Sequence, residues 1–183
     1  MLFRSAGVQA GRNSTSATGC VFIGGNAGVI NTTGNDNTFV GFGAGRNSTI
    51  ATGCVFVGSY AGSGNTTGSD NIAIGLNAGS GYLTGTKNIA IGTLALSTAT
   101  GATSNIAIGY AAGSGTTTGN SNVFIGTQAG YKNTTGRNSV FIGFNAGSGH
   151  TNGYENTAVG YYANAACSTG YGNVAVGSQA LYV

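Results

Sequence analysis

Very few side chains in this sequence have the acid, base or nucleophilic chemistry that catalysis requires. The 183 residues include one histidine, His150, three acidic residues and three cysteines. Asp36 and Asp70 are two repeats apart at equivalent positions, and neither has a second carboxylate beside it in the sequence for general acid–base work. We therefore expect no enzymatic activity and no catalytic residue.

The cysteines and glycines do not form the motifs of a cofactor or metal site. Cys20 and Cys54 also lie two repeats apart, and stacked repeats would separate them by roughly 9.5 Å, beyond the reach of a disulfide. Cys167 has a different position in its repeat, and the sequence contains no CxxC, Cys/His or Gly-Lys-Ser/Thr spacing. We expect Cys20 and Cys54 to be small buried side chains, and we expect no cofactor and no metal.

Aromatic and basic residues in the variable turns are the remaining candidates for molecular recognition. Such side chains can contact a glycan or a protein receptor on a cell surface. An ordinary solvated turn residue is the alternative for any single one of them. The predicted binding arc consists of Arg12, Arg46, Tyr82, Tyr131, Lys132, His150, Tyr154 and Tyr171.

Charge and hydropathy exclude two classes of partner. Six Lys or Arg and three Asp or Glu make up 5% of the residues, so the net charge of +3 is dispersed along the chain. A nucleic-acid groove needs clustered cations, and we expect no nucleic-acid binding. The longest apolar runs are only a few residues, so we expect no segment that spans a membrane.

A strict 17-residue period determines the elements that position these residues. Alanine follows the periodic glycine by three residues every time, from Ala10 to Ala180. Such a period predicts identical units that stack on their neighbours, in one domain over 1–183, with a degenerate first coil or cap at 1–17 and regular repeats over 18–183. The repeat glycines are Gly7, Gly24, Gly41, Gly58, Gly75, Gly92, Gly109, Gly126, Gly143, Gly160 and Gly177.

A short strand precedes each repeat glycine, as in Asn71-Ile72-Ala73-Ile74. The sequence therefore predicts an all-β fold, a parallel β-solenoid of about ten 17-residue coils. We expect the first and third strand positions, such as Ile72 and Ile74, to line a narrow interior together with the alanine that follows each repeat glycine, such as Ala78 and Ala112. The middle position would then face outward as an apolar oligomer interface, because strands apolar on both faces are normally covered on both. This middle-strand column comprises Phe22, Phe39, Phe56, Ala73, Ala90, Ala107, Phe124, Phe141, Ala158 and Ala175.

The motif Asn-Ile-Ala-Ile-Gly-x-x-Ala, at 71–78 and 105–112, resembles the YadA-like head repeats of trimeric autotransporter adhesins. The variant at 122–130, followed by Asn-Thr-Thr-Gly at 133–136, is similar to repeats of phage tail-fibre proteins. The likeness covers residues 18–183. It implies a left-handed β-roll in which three chains pack around an axis, with the middle-strand column as the interface.

These observations together predict a structural fibre or adhesin segment, located extracellularly, on a cell surface or on a virion. It would be a rigid rod, a homo-oligomer and most simply a trimer, that displays its variable arc to a receptor or glycan. Because Val183 ends the chain within a coil, we also expect head-to-tail contacts or a longer fibre. The alternatives are a self-assembling extracellular filament subunit and an ice-binding protein that uses its row of threonines.

Overall fold

The computed structural model describes residues 4–82 and 84–182, which form a single parallel sheet of eleven short strands. The described residues contain no helix, and hence none that is long and apolar enough to cross a membrane. The strands are β1 Arg4–Ala6, β2 Val21–Ile23, β3 Thr38–Val40, β4 Val55–Val57, β5 Ile72–Ile74, β6 Ile89–Ile91, β7 Ile106–Ile108, β8 Val123–Ile125, β9 Val140–Ile142, β10 Thr157–Val159 and β11 Val174–Val176.

Each strand pairs in parallel with the next strand in the sequence, at an offset of one repeat. Ala73 lies opposite Ala90, and Ala90 lies opposite Ala107. The predicted β-solenoid of about ten 17-residue coils is therefore confirmed. The first coil shares this register, because Arg4 lies opposite Val21. Residues 1–3 of the predicted cap and residue 183 lie outside the described residues.

The repeat glycines allow neighbouring coils to approach closely after each strand. Gly109 has φ +134°, and a Cβ placed there would lie 2.6 Å from the carbonyl oxygen of Gly126 in the next coil. The Ala112 amide then donates to the Gly109 carbonyl at 3.3 Å, which closes a turn and directs the alanine inward. Ala78 and Ala112 are fully buried, so the prediction that these alanines line a narrow interior is confirmed.

The predicted orientation of the strands is wrong. All ten residues of the middle-strand column are buried, whereas the first and third strand positions are half-buried or exposed. Strand alternation assigns residues to two faces but does not say which face is inside, because here both carry apolar residues. The Phe/Ala column forms the core of each coil, and the Val/Ile columns form its outer surface.

Phenylalanine suits the interior because the coil has an empty space beside a second turn glycine. The rings of Phe39 and Phe56 lie against Gly45 and Gly62, in the space that a glycine Cβ would occupy. Successive rings stack along the axis: the Phe22–Phe39 centroids are 5.0 Å apart, and the Phe39–Phe56 centroids are 4.9 Å apart. The stack fills the core, as close packing of the interior requires.

Two of the coils that carry alanine in the middle strand obtain the missing volume from another position. In the coil of Ala73 the fully buried Tyr82 occupies the space beside Gly79. In the coil of Ala90 a buried leucine, Leu96, replaces the turn glycine itself. Large and small side chains therefore compensate one another within each of these two coils.

A buried column of asparagines joins the coils just before the strands. Asn88 Nδ2 donates to Asn71 Oδ1 at 3.2 Å, and Asn105 Nδ2 donates to Asn88 Oδ1 at 3.1 Å. Cys20 and Cys54 occupy the same column and are buried, with their thiols donating to the Gly34 and Gly68 carbonyls. Their prediction as small buried side chains is confirmed. Burial raises the pKa of Cys54 to about 11, so this thiol stays protonated and unreactive near neutral pH.

Candidate functional site

The outer strand positions form a continuous apolar stripe along the solenoid, which we call the strand face. It carries two columns of side chains, such as Ile72 and Ile74 in β5 and Val140 and Ile142 in β9. From β2 to β11 every residue in these columns is valine or isoleucine except Thr38 and Thr157, and none is charged. The apolar outer surface expected from the sequence therefore exists, but it is built by the columns that had been assigned to the interior.

Two residues of the predicted binding arc, Tyr82 and His150, are fully buried and cannot contact a partner. Both occupy an inward-facing column, the inner turn column, where other coils place Asn65, Thr116 and Asn133. The Tyr82 hydroxyl makes no hydrogen bond within the described part of the chain. The arc prediction was wrong here because residue type suggested exposure, whereas the position in the repeat decides it.

The other six arc residues are exposed, but they lie in separate places. Arg12 and Arg46 occupy one column two coils apart. Tyr131 is five coils beyond Arg46, about 24 Å along the axis at a strand spacing of about 4.8 Å. Lys132 adjoins Tyr131 in the sequence. The arc therefore divides into a basic pair near the N-terminus and aromatic groups in the C-terminal half.

Tyr154 and Tyr171 form an exposed stack on adjacent coils, with ring centroids 5.2 Å apart and an angle of 7° between the ring planes. Arg137, one coil earlier in the same column, lies over the Tyr154 ring with its guanidinium 5.5 Å from the centroid. Arg137 is not among the residues of the predicted binding arc. Its 17-residue spacing from Tyr154 was the signal that could have identified it.

A second exposed aromatic cluster, also missed from the sequence, lies beside the last strands. Phe144 stacks on Tyr161 at 5.5 Å, and Tyr162 meets Tyr161 edge to face at 4.6 Å. Phe144 and Tyr161 each follow a repeat glycine directly, at a corner of the coil, and Tyr162 is the next residue after Tyr161. The predicted binding arc was limited to turns further from the repeat glycines, so it did not include these three rings.

A groove of about 550 Å³ crosses the coils that contain Leu94, Ala111 and Gln128. Its lining includes small residues such as Ala111, Ser114 and Gly115, together with Tyr131 and Lys132 of the next coil. Backbone bonds hold these coils together: Gly115 N donates to Tyr131 O at 2.9 Å, and Lys132 N donates to Ser148 O at 3.1 Å. The volume lies within the usual range of small-ligand sites.

The threonine row that could order water uses its hydroxyls within the protein. Thr32 Oγ1 donates to the Thr49 carbonyl at 3.1 Å, and Thr49 Oγ1 donates to the Thr66 carbonyl at 3.0 Å. The same bond recurs from Thr117 to Thr134 and from Thr134 to Thr151. The hydroxyl protons of this row therefore stabilise coil stacking and do not point to solvent.

His150 is buried against the Phe141 ring, with the two ring centroids 5.0 Å apart. Burial lowers the pKa of His150, and the nearby side-chain amide of Asn164 opposes part of this shift. Within the described part of the chain, neither ring nitrogen of His150 has a hydrogen-bond partner. The imidazole of His150 therefore binds a proton less readily in the folded chain than in the unfolded chain. Its contribution to the stability of the fold is fully present above the unfolded pKa of about 6.5. It is lost as the pH falls below that value.

We therefore expect acid to destabilise the wild-type protein more than a His150→Asn variant, which carries the residue found at Asn31, Asn65 and Asn133. Urea unfolding at pH 7.5 and pH 5 measures the difference. The other titrating groups are common to both proteins and cancel in the comparison. Equal losses of stability in the two proteins would show that the imidazole is already protonated, or is exposed, in the folded state.

Comparison with protein-family models, curated proteins and solved structures finds no match to this chain. Among the described residues, no three His, Cys, Asp or Glu side chains come together in a group that could hold a metal ion.

Proposed function

We propose that this chain is a structural segment of a fibre or adhesin: a non-enzymatic, rigid rod that associates with copies of itself and displays its outer turns to a surface receptor. The observation that carries the proposal is the uncharged Val/Ile strand face. An extracellular, cell-surface or virion location belongs to the same proposal.

The strand face exposes apolar side chains to solvent, and covering it with another surface would be favourable. Ile23 is 46% exposed, Ile74 is 38% exposed and Ile108 is 37% exposed, and all three belong to one continuous stripe. Monomeric soluble proteins rarely leave a contiguous apolar stripe of several hundred Å² in water. Burying it at about 25 cal/mol per Å² would favour association.

A second copy of the same chain is the partner that fits this stripe best. Identical repeats have identical axial spacing, so two copies in parallel register align valine and isoleucine along the whole length. The strand face carries no charged residue from β2 to β11, so aligning identical copies brings no like charges together along those ten strands.

The dimensions of the stripe favour three copies over two. Three residues in width and ten strands in length, at about 4.8 Å for each strand, give about 10 Å by 48 Å, or about 500 Å². A stable two-chain interface usually buries about 800 Å² per partner. In a three-chain arrangement each copy contacts two neighbours. The stripe then lies at the shared axis, and the surface on either side of the stripe is buried as well.

Charge placed on the strand face should dissociate the assembly without unfolding it. We expect the Ile23→Lys/Ile74→Lys variant to change the mass in solution from three times the 17.8 kDa chain to that of one chain. Sedimentation equilibrium or light scattering measures this, and circular dichroism checks the fold. A wild-type monomer, or a variant with unchanged mass, would contradict the proposal.

The matched control is Thr33→Lys/Thr67→Lys, which adds the same charge at exposed positions of turns that lie off the strand face. This variant should keep the wild-type mass. Electron microscopy of the same samples separates the assemblies: short discrete rods support the proposed segment, and open filaments that lengthen with concentration would support a filament subunit instead.

A further inference from the structure

The groove beside Tyr131 and Lys132 has a mixture of groups that the strand face lacks. Among the lining residues, Tyr131 is exposed, Ala111 is nearly fully buried, and Ser114 and Gln128 are half-buried. The lining of the groove therefore combines apolar side chains with polar ones. Ligand sites commonly combine such an apolar surface with a few polar groups that orient the ligand.

Several polar groups in this groove are free to bind a ligand. In the described structure the side chains of Ser97, Ser114 and Gln128 make no hydrogen bond to another protein group. Thr98 differs, since its hydroxyl donates to the Thr116 carbonyl at 3.1 Å. The hydroxyls and the amide of the first three residues can donate and accept, which matches the hydroxyl groups of a sugar.

Lys132 supplies the only charge among the residues that line the groove, and no carboxylate there opposes it. Its ammonium group therefore favours an anionic group on the ligand, through a charge-assisted hydrogen bond. Tyr131 adds an exposed aromatic side chain, whose face packs well on the C–H groups of a pyranose ring. An anionic group, several hydroxyls and an apolar ring face occur together in one class of molecule, the acidic saccharides.

We propose that this groove binds an oligosaccharide that carries a carboxylate, with Lys132 on the carboxylate, Tyr131 on a sugar ring, and Ser114 and Gln128 on hydroxyl groups. The proposal rests on the proposed display function of the rod and specifies what the rod would recognise. The groove volume of about 550 Å³ lies within the range of about 300 to 1,000 Å³ that is usual for ligand sites.

A glycan array that pairs uronate- and sialate-bearing oligosaccharides with their neutral parents tests the proposal on the full chain. We expect retention of acidic glycans and at least about tenfold weaker binding of the neutral parents, as expected for loss of one charge-assisted hydrogen bond. Calorimetry with the acidic glycan retained most strongly then compares variants. Tyr131→Ala and Lys132→Gln should each weaken binding about tenfold or more.

The matched controls remove the same groups elsewhere: Tyr171→Ala removes an exposed tyrosine and Lys87→Gln an exposed lysine, both outside the groove. Both controls should bind as the wild type does. Absence of binding to every acidic glycan, equal binding of the neutral parents, or full binding by the Tyr131 and Lys132 variants would overturn the groove assignment.

The mass of each sample is measured in parallel, so the two proposals fail separately. Glycan binding by a monomeric protein would refute the oligomeric rod and retain the groove. A trimer that retains no glycan would refute the groove and retain the rod.

Discussion

Replacing Phe124 with aspartate is expected to unfold the coils around it. Phe124 is fully buried, its ring lies against Gly130, and its centroid is 5.8 Å from that of Phe141. Loss of a buried phenylalanine side chain costs about 3–5 kcal/mol, and an unpaired buried carboxylate adds to this. Because the total stability of a domain is commonly about 5–15 kcal/mol, this single change removes most of it. Thermal unfolding followed by circular dichroism measures the effect.

The neighbouring substitution Ile125→Asp is the control, because it places the same charge one residue away on the strand face. Ile125 is half-buried at the outer surface, so the chain should stay folded while self-association weakens. The reverse outcome, a folded Phe124→Asp protein and an unfolded Ile125→Asp protein, would restore the orientation that the sequence suggested and overturn the observed one.

Replacing the repeat glycine Gly109 with alanine is expected to be almost as disruptive. The new Cβ would lie 2.6 Å from the Gly126 carbonyl oxygen, and the φ of +134° is unfavourable for any residue with a side chain. Backbone strain alone costs about 1–3 kcal/mol. The overlap also forces two coils apart, although all coils in this stack are evenly spaced. We expect a loss of about 3 kcal/mol or more in urea unfolding.

Gly101→Ala provides the comparison, because this glycine lies in the neighbouring turn and has no positive φ. A Cβ there would meet the Thr118 side chain at 3.7 Å, which is an ordinary contact. Its stability should stay within about 0.5 kcal/mol of the wild type, or rise slightly because the unfolded chain loses freedom. Similar losses for both variants would mean that close approach of the coils is not what requires Gly109.

The sequence predicted the fold class, the coil length and the registration of the strands. The period has no insertion between Gly7 and Gly177, so each residue of a column must lie above its counterpart. It also predicted correctly that Ala112 lines a narrow interior and that Cys20 and Cys54 are buried. These properties follow from the spacing and size of residues along the chain, so they can be predicted without knowing how the coil closes in space.

The candidate site was predicted less completely. Tyr131 and Lys132 were identified by residue type, and they border the groove; Arg137, in contrast, became visible only when the stacked column placed it over Tyr154. The groove itself depends on small residues such as Ser114 and Ala111 lying next to larger ones in adjacent coils. Neighbours across coils are 17 residues apart, so a local pattern does not show the depression that they make together.

By itself the sequence determined that equal units stack, which residues share a column and where each coil turns. Only the tertiary structure decided which apolar face of the strands is the core. The physical reason is volume: a coil lined by alanines has room for one large side chain, and Phe56, Tyr82 or Leu96 fills it in different coils. Valine and isoleucine on the opposite face therefore lie outside, where they form the surface available to a partner.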